Sequence, residues 1–230
     1  MTGAALAGVL AVGALAGLDL VSVPQMMLAR PLVAGFLGGA VCGRPLAGLA
    51  TGALLELFAF ETLPIGAARY PDWGPAAAAA GALAALRGAT WDPAWMSGVT
   101  VVALMAAWVG GLTMHLARRL NGAQLRRREA ELRAGDPRAL RALQLGGVAR
   151  DVVRAAALTG FTLVVGGQVA RQVARGWHAP RAVADVALVG TALGVALWSA
   201  YRLYGRGAPR RWLAAGAVVG VGLVAGLLTW

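Results

Sequence analysis

Glu56 stands alone inside the apolar string LATGALLELFAF, residues 49–60, with no charged neighbour before Glu61. A carboxylate in such surroundings costs free energy unless something pairs with it, so by default it marks a site. In a low-dielectric cavity it can accept hydrogen bonds from substrate hydroxyls, and a ligand lacking them would leave it unpaired. The alternative is a structural ion pair with Arg30 or Arg44. Glu61, five residues on and well round a helix from Glu56, is either a second ligand or a marker of the water boundary.

Arg30 immediately precedes Pro31, a pair that can open a helix whose first amides face a polar cavity. Gln25 lies close by and can both donate and accept. An arginine snorkelling at a helix end explains Arg30 equally well. Asp19 and Asp185, near the ends of apolar runs, read as caps or interface residues before they read as ligands.

Catalytic constellations are missing. The sequence has no GxxxxGK[ST] loop, no metal-ligand pattern, and only two histidines, His115 and His178, both at the ends of apolar runs. Its single cysteine, Cys42, excludes an intrachain disulfide and a CxxC site, and its apolar setting suggests an inert buried thiol. No cofactor is expected, and an intramembrane enzyme is the least favoured class, because no nucleophile stands beside a base.

The elements that position these residues belong to a membrane. Of 230 residues, 59% are hydrophobic and 13% charged, with mean hydropathy +0.67, too apolar for a soluble domain. Runs near Met96–Leu116, Ala155–Ala170, Ala182–Tyr201 and Trp212–Trp230 suit spans, given that a helix crosses the hydrocarbon with about 20 residues. The run from Thr2 to Leu18 lacks a basic leader and reads as a retained helix.

Between them, Pro31–Gly43, Pro45–Phe60 and Pro75–Leu86 are apolar but short. Such interrupted segments predict re-entrant or discontinuous helices, tolerated only where irregular backbone is buried in protein or lines a cavity. The fold class expected is therefore an all-α membrane protein, with polytopic transmembrane helices and short re-entrant or discontinuous ones in the N-terminal half. Three regions follow: residues 1–117 with the substrate cavity, 118–154 as an arginine-rich segment, and 155–230 as further spans.

Net charge is +11, and nearly half of the arginines fall between Arg118 and Arg154, which the positive-inside rule assigns to the cytoplasm. Nucleic-acid binding is a poor reading of this charge; a membrane-lipid surface is a better one. Leu116, Leu120, Leu125 and Leu132 recur at helical spacing, predicting an amphipathic helix on the membrane surface. Gly135-Asp136-Pro137 then breaks it, with Asp136 as N-cap and Pro137 at the first position of a new helix. Glycines four apart, at Gly35, Gly39 and Gly43, at Gly48 and Gly52, and at Gly216 and Gly220, permit close helix approach. Trp91, Trp95, Trp177, Trp212 and Trp230 flank apolar runs as interface anchors do, and Trp73 alone is also a candidate for stacking on carbohydrate.

The string from Arg30 to Asp72 resembles the IIC component of the mannose/fructose/sorbose family of bacterial phosphotransferase systems. The shared elements are Arg30-Pro31 opening a small-residue helix, a Gly-rich stretch leading to Leu55-Glu56, and Ile65 to Ala68 followed by Pro71-Asp72. The resemblance extends into the hydrophilic segment through Gly135-Asp136. It implies a sugar-translocating subunit of the bacterial inner membrane that forms an oligomer with a second membrane subunit, IID, and works with cytoplasmic IIA and IIB phosphocarriers. Those partners would phosphorylate a hexose, leaving this chain without a catalytic centre. The residues expected to meet the sugar are Gln25, Arg30, Glu56, Glu61, Gly66 and Asp72. A non-transporting regulatory partner of an incomplete system and a gradient-driven small-solute transporter are the rival functions.

Overall fold

The computed structural model describes residues 1–62, 70–88, 91–205, 211, 214–216 and 218, and among them every regular element is helical. The expected span Trp212–Trp230 and the Gly216/Gly220 pair fall largely or partly outside these residues, as does Gly66.

Helix α1, Gly3–Val21, runs from one end of the molecule, here the distal end, toward the level at which the polar residues collect. Three short helices follow: α2 Pro31–Val41, α3 Pro45–Ala59 and α4 Trp73–Arg87. At 1.5 Å per residue they are roughly 16–23 Å long, short of the roughly 30 Å of hydrocarbon. Proline supplies the first position of α2 and α3, where its missing N–H is harmless. Gly43, at φ 76°, makes the left-handed turn between them. The two helices form an antiparallel hairpin that returns to the level it left.

The hairpin closes backbone to backbone. A Cβ on Gly35 would stand 2.8 Å from Gly52 Cα, and one on Gly39 would stand 2.7 Å from Gly48 Cα. The spaced glycines are thus a real contact, made by dispersion and close approach because lipid supplies no hydrophobic drive between helices. Helix α4, almost entirely alanine and glycine and buried along nearly its whole length, fills the centre of the fold.

Helix α5, Pro93–Arg127, and α7, Pro137–Gly176, are far longer and antiparallel. A short helix α6, Glu129–Arg133, and a turn at Gly135 join them. Asp136 caps α7 by accepting from Arg138 N at 2.8 Å, with Pro137 next, as the sequence predicts. The segment 118–154 is not a separate surface helix: no proline interrupts the chain between Pro93 and Arg127, so the span continues beyond the other elements and α7 returns alongside it. Helix α8, Arg181–Ala200, packs on α3 and α5 and passes into a short π-helical turn, Tyr201–Gly205. Helices α1, α5, α7 and α8 are long and apolar enough to cross a membrane.

Candidate functional site

The C-terminal end of α1, the N-terminus of α2, the end of α3 and the start of α4 meet at one level, beside Ala107–Gly111 of α5 and Arg154 of α7. Asp19, buried near the end of α1, organises the loop between α1 and α2. Its Oδ1 accepts from Met26 N at 2.6 Å and its Oδ2 from Ala29 N at 3.0 Å. Met27 within this loop adopts φ 64°, an uncommon backbone for a non-glycine residue, so the carboxylate holds a constrained loop in place. Asp19 is therefore a loop anchor, which brings Ala29 and Arg30 to the cavity.

Arg30 and Glu56 form an ion pair across the α2–α3 hairpin. Glu56 also accepts from Leu32 N at 3.1 Å. That amide is one of the first in α2, left without an intrahelical partner, and the helix dipole there favours an anion. The Glu56 side chain is only 15% exposed. The carboxylate is thus held by a cation and a helix N-terminus together, which fixes the position of Arg30.

Arg30, Thr62, Tyr70 and Trp73 line a cavity of about 40 Å³. Among the described residues, Trp73 Nε1 and Thr62 Oγ1 are buried with no hydrogen-bond partner. Unpaired buried polar atoms are costly and rare, so two on side chains that line one cavity call for an explanation. Arg118 Nη2 donates to Tyr70 Oη at 2.7 Å from outside this cavity, and its guanidinium also stacks over the ring at 5.4 Å.

Asp72, fully buried, is committed elsewhere. Its Oδ2 accepts from Arg154 Nη1 at 2.5 Å, and its N donates to Ala107 O at 2.8 Å. Arg154 also approaches Asp151 Oδ1 at 3.6 Å, and Ser22 Oγ donates to Asp151 Oδ2 at 2.5 Å. This network ties α1 and the start of α4 to α7.

Of the residues singled out in the sequence, Arg30 lines the cavity and Glu56 stands directly behind it. Asp72 is adjacent but turned to α7. Gln25 is exposed on the loop, and Glu61 is exposed, its carbonyl accepting from Arg202 Nη2 at 2.8 Å. Asp185 accepts from Trp91 Nε1 at 2.7 Å at the distal end, far from the cavity, and Cys42 is half-buried rather than enclosed. Sequence reasoning missed Thr62, Tyr70 and Arg154. The last lay hidden among arginines, and its one signal was the lone Asp72 beside an otherwise apolar helix.

The family model described as the phosphotransferase system sorbose-specific IIC component matches residues 2–201. No curated protein matches the chain in sequence. A solved membrane-protein structure is similar in fold, with a TM-score of 0.75 at 19% identity, over 100% of this chain and 94% of the other. So is the cryo-EM structure of the mannose transporter ManYZ in complex with microcin E492, with a TM-score of 0.62 at 19% identity over the same shares of the two chains. With its re-entrant hairpin and four long apolar helices matched across nearly all their length, the chain belongs to the family of sorbose-specific IIC components, membrane subunits of sugar phosphotransferase systems.

Proposed function

We propose that this chain carries a hexose across the bacterial inner membrane through the cavity bounded by Arg30, Thr62, Tyr70 and Trp73. The observation that carries the reading is the pair of buried polar atoms left unsatisfied among the described residues, Trp73 Nε1 and Thr62 Oγ1, on two side chains that line the same cavity as a guanidinium oriented by Glu56. Sugar hydroxyls both donate and accept, and can satisfy the tryptophan N–H, the threonine oxygen and the free guanidinium N–H groups of Arg30 at once.

A cavity of about 40 Å³ holds little more than one water, whose share of liquid volume is about 30 Å³. A hexose therefore enters only when the walls separate. The α2–α3 hairpin moves as a unit because its glycines lock it backbone to backbone, and it carries Arg30 and Glu56 together. The wall opposite, with Trp73, is fixed to α7 through Asp72 and Arg154. Motion of the first against the second opens the cavity to one side or the other.

The arginine-rich hairpin of α5, α6 and α7 lies in the cytoplasm, which places the cavity near the cytoplasmic side. There IIB, charged by IIA, phosphorylates the sugar, and a IID subunit completes the channel. Phosphoryl transfer prevents return and drives net uptake, while this chain supplies binding and passage.

The test is uptake of radiolabelled hexoses by cells that make the chain with its partner subunits. Glu56→Gln removes the charge that holds Arg30, and should abolish uptake with expression and complex assembly unchanged. Undiminished uptake sinks the assignment.

A further inference from the structure

On the far side of Tyr70 from the sugar cavity lies a second, larger cleft, between the projecting parts of α5 and α7 and the end of α1. Its volume is about 710 Å³, within the roughly 300–1,000 Å³ of small-molecule sites. Arg118, Asn121, Gln124, Gln144 and Arg150 are on its wall. We infer that this cleft binds the phosphoryl group of the sugar phosphate product, receiving it from the neighbouring cavity. The inference rests on the function proposed above.

Three observations converge on a phosphate monoester. First, the two guanidiniums are uncompensated: among the described residues neither Arg118 nor Arg150 forms an ion pair with a carboxylate. Arg118 donates to the neutral Tyr70 hydroxyl, and Arg150 Nη2 to Gln124 Oε1. Asp151, the one carboxylate on the wall, accepts from Ser22 and shares Arg154, 3.6 Å away, with Asp72, so the wall itself sets two guanidiniums against one carboxylate. Net positive charge therefore faces the cleft.

Second, donors are left over. Among the described residues, Arg150 Nη1 is buried without a partner, and so is Asn121 Oδ1. The amide orientation of Asn121 is interchangeable, and turning it presents an N–H₂ in place of the orphaned oxygen. A phosphoryl group offers acceptors for these donors once the side chains turn into the cleft, and guanidinium–phosphate bonds are among the stronger charge-assisted kinds.

Third, space is kept open where a side chain would fill it. Gly122 and Gly147 both line the cleft, and a Cβ at Gly147 would stand 3.7 Å from Asn121 Nδ2. The two spaces share a partition, since Tyr70 lines the small cavity while its hydroxyl accepts from Arg118 of the cleft. Among the described residues, a sugar that has gained a dianionic group finds in the small cavity only Arg30 as a cation, which Glu56 neutralises. The cleft offers two, so the modified product is drawn away from the cavity that admitted the free sugar.

The test uses the purified chain, with whatever subunits accompany it, in nanodiscs of uncharged lipid. Equilibrium binding is measured for radiolabelled mannose, glucose, fructose and sorbose, for mannose 6-phosphate, glucose 6-phosphate and fructose 1-phosphate, and for inorganic phosphate. Expected is binding of at least one hexose phosphate, weakened about tenfold or more by Arg150→Gln, as loss of a charge-assisted contact implies. Gly147→Leu, which fills the cleft without removing a charge, should weaken it too. Free hexose binding should be unchanged in both variants. Binding of a free hexose with no binding of its phosphate overturns the inference and leaves the transport reading standing. Failure of both ligands overturns the two together. Equal affinity for inorganic phosphate, or loss of phosphate ester binding in nanodiscs of phosphatidylglycerol, reassigns the cleft to free phosphate or to a lipid headgroup and overturns it as a product site.

Discussion

Asp72 and Arg154 are 82 positions apart in the chain, yet Arg154 Nη1 donates to Asp72 Oδ2 at 2.5 Å, with the carboxylate wholly enclosed. The pair joins the start of the central alanine-rich helix to the long helix α7. It ties the wall that carries Trp73 to α7. Desolvation offsets most of the attraction in such a pair, so its role is positional more than stabilising.

Removing Arg154 strands Asp72, whereas Arg154 without Asp72 keeps Asp151 at 3.6 Å. Arg154→Met should lower stability by about 3–5 kcal/mol, the range for a buried charge left unpaired, and Asp72→Asn should lower it by less. The double variant should lose less than the sum of the two. Thermal unfolding in detergent checks this, and strictly additive losses would contradict the coupling.

The glycine-locked hairpin gives a sharper contrast. Gly39→Ala puts a methyl group 2.7 Å from Gly48 Cα, where the facing atom is backbone and cannot rotate away. Overpacking of this kind should cost about 1–3 kcal/mol. At Gly190 and Gly194 on α8 nothing lies within 4 Å, and alanine there should be neutral or slightly stabilising. Melting temperatures of the three variants decide it, and equal effects would mean the hairpin is not closely packed.

Much of this hairpin was legible in advance. Arg30-Pro31 and Arg44-Pro45 announce helix starts, the glycine spacing marks the contact face, and Gly135-Asp136-Pro137 locates the cap of α7. Each signal is local, set by backbone geometry within a few residues. The site was only partly legible because its walls are assembled from distant segments. Glu56 stood out as an isolated carboxylate, but its partner could have been Arg30 or Arg44, and only the register of α2 on α3 selects Arg30. Thr62 and Tyr70 carry no pattern. The expected separate helix proved instead to be the facing ends of the two long helices α5 and α7, since amphipathic spacing does not say where a helix begins or which neighbour its apolar face meets.

Charge order within the Arg30–Glu56 pair should matter. Exchanging the residues, Arg30→Glu with Glu56→Arg, keeps an ion pair but sets a cation against Leu32 N and the positive end of α2. Uptake should not be restored relative to Glu56→Gln alone. Recovery to wild-type uptake would show that pairing, rather than orientation by the helix N-terminus, is what the site requires.

The side of the projecting hairpin can be read chemically. Arg133 is 79% exposed in α6. In a Cys42→Ser background, Arg133→Cys should react with a membrane-impermeant maleimide in inverted vesicles and stay unlabelled in intact cells. Labelling from outside would reverse the orientation and place the cavity near the opposite face.

The most direct test of the central claim is hexose binding to the purified chain and its Trp73→Phe variant. Phenylalanine retains an aromatic ring but removes the indole N–H, which lacks a partner among the described residues. If the cavity is the sugar site, affinity should fall by about tenfold, as loss of a buried hydrogen bond to a ligand implies, while the melting temperature without sugar stays close to wild type. Unchanged affinity in a folded Trp73→Phe protein would place the sugar elsewhere.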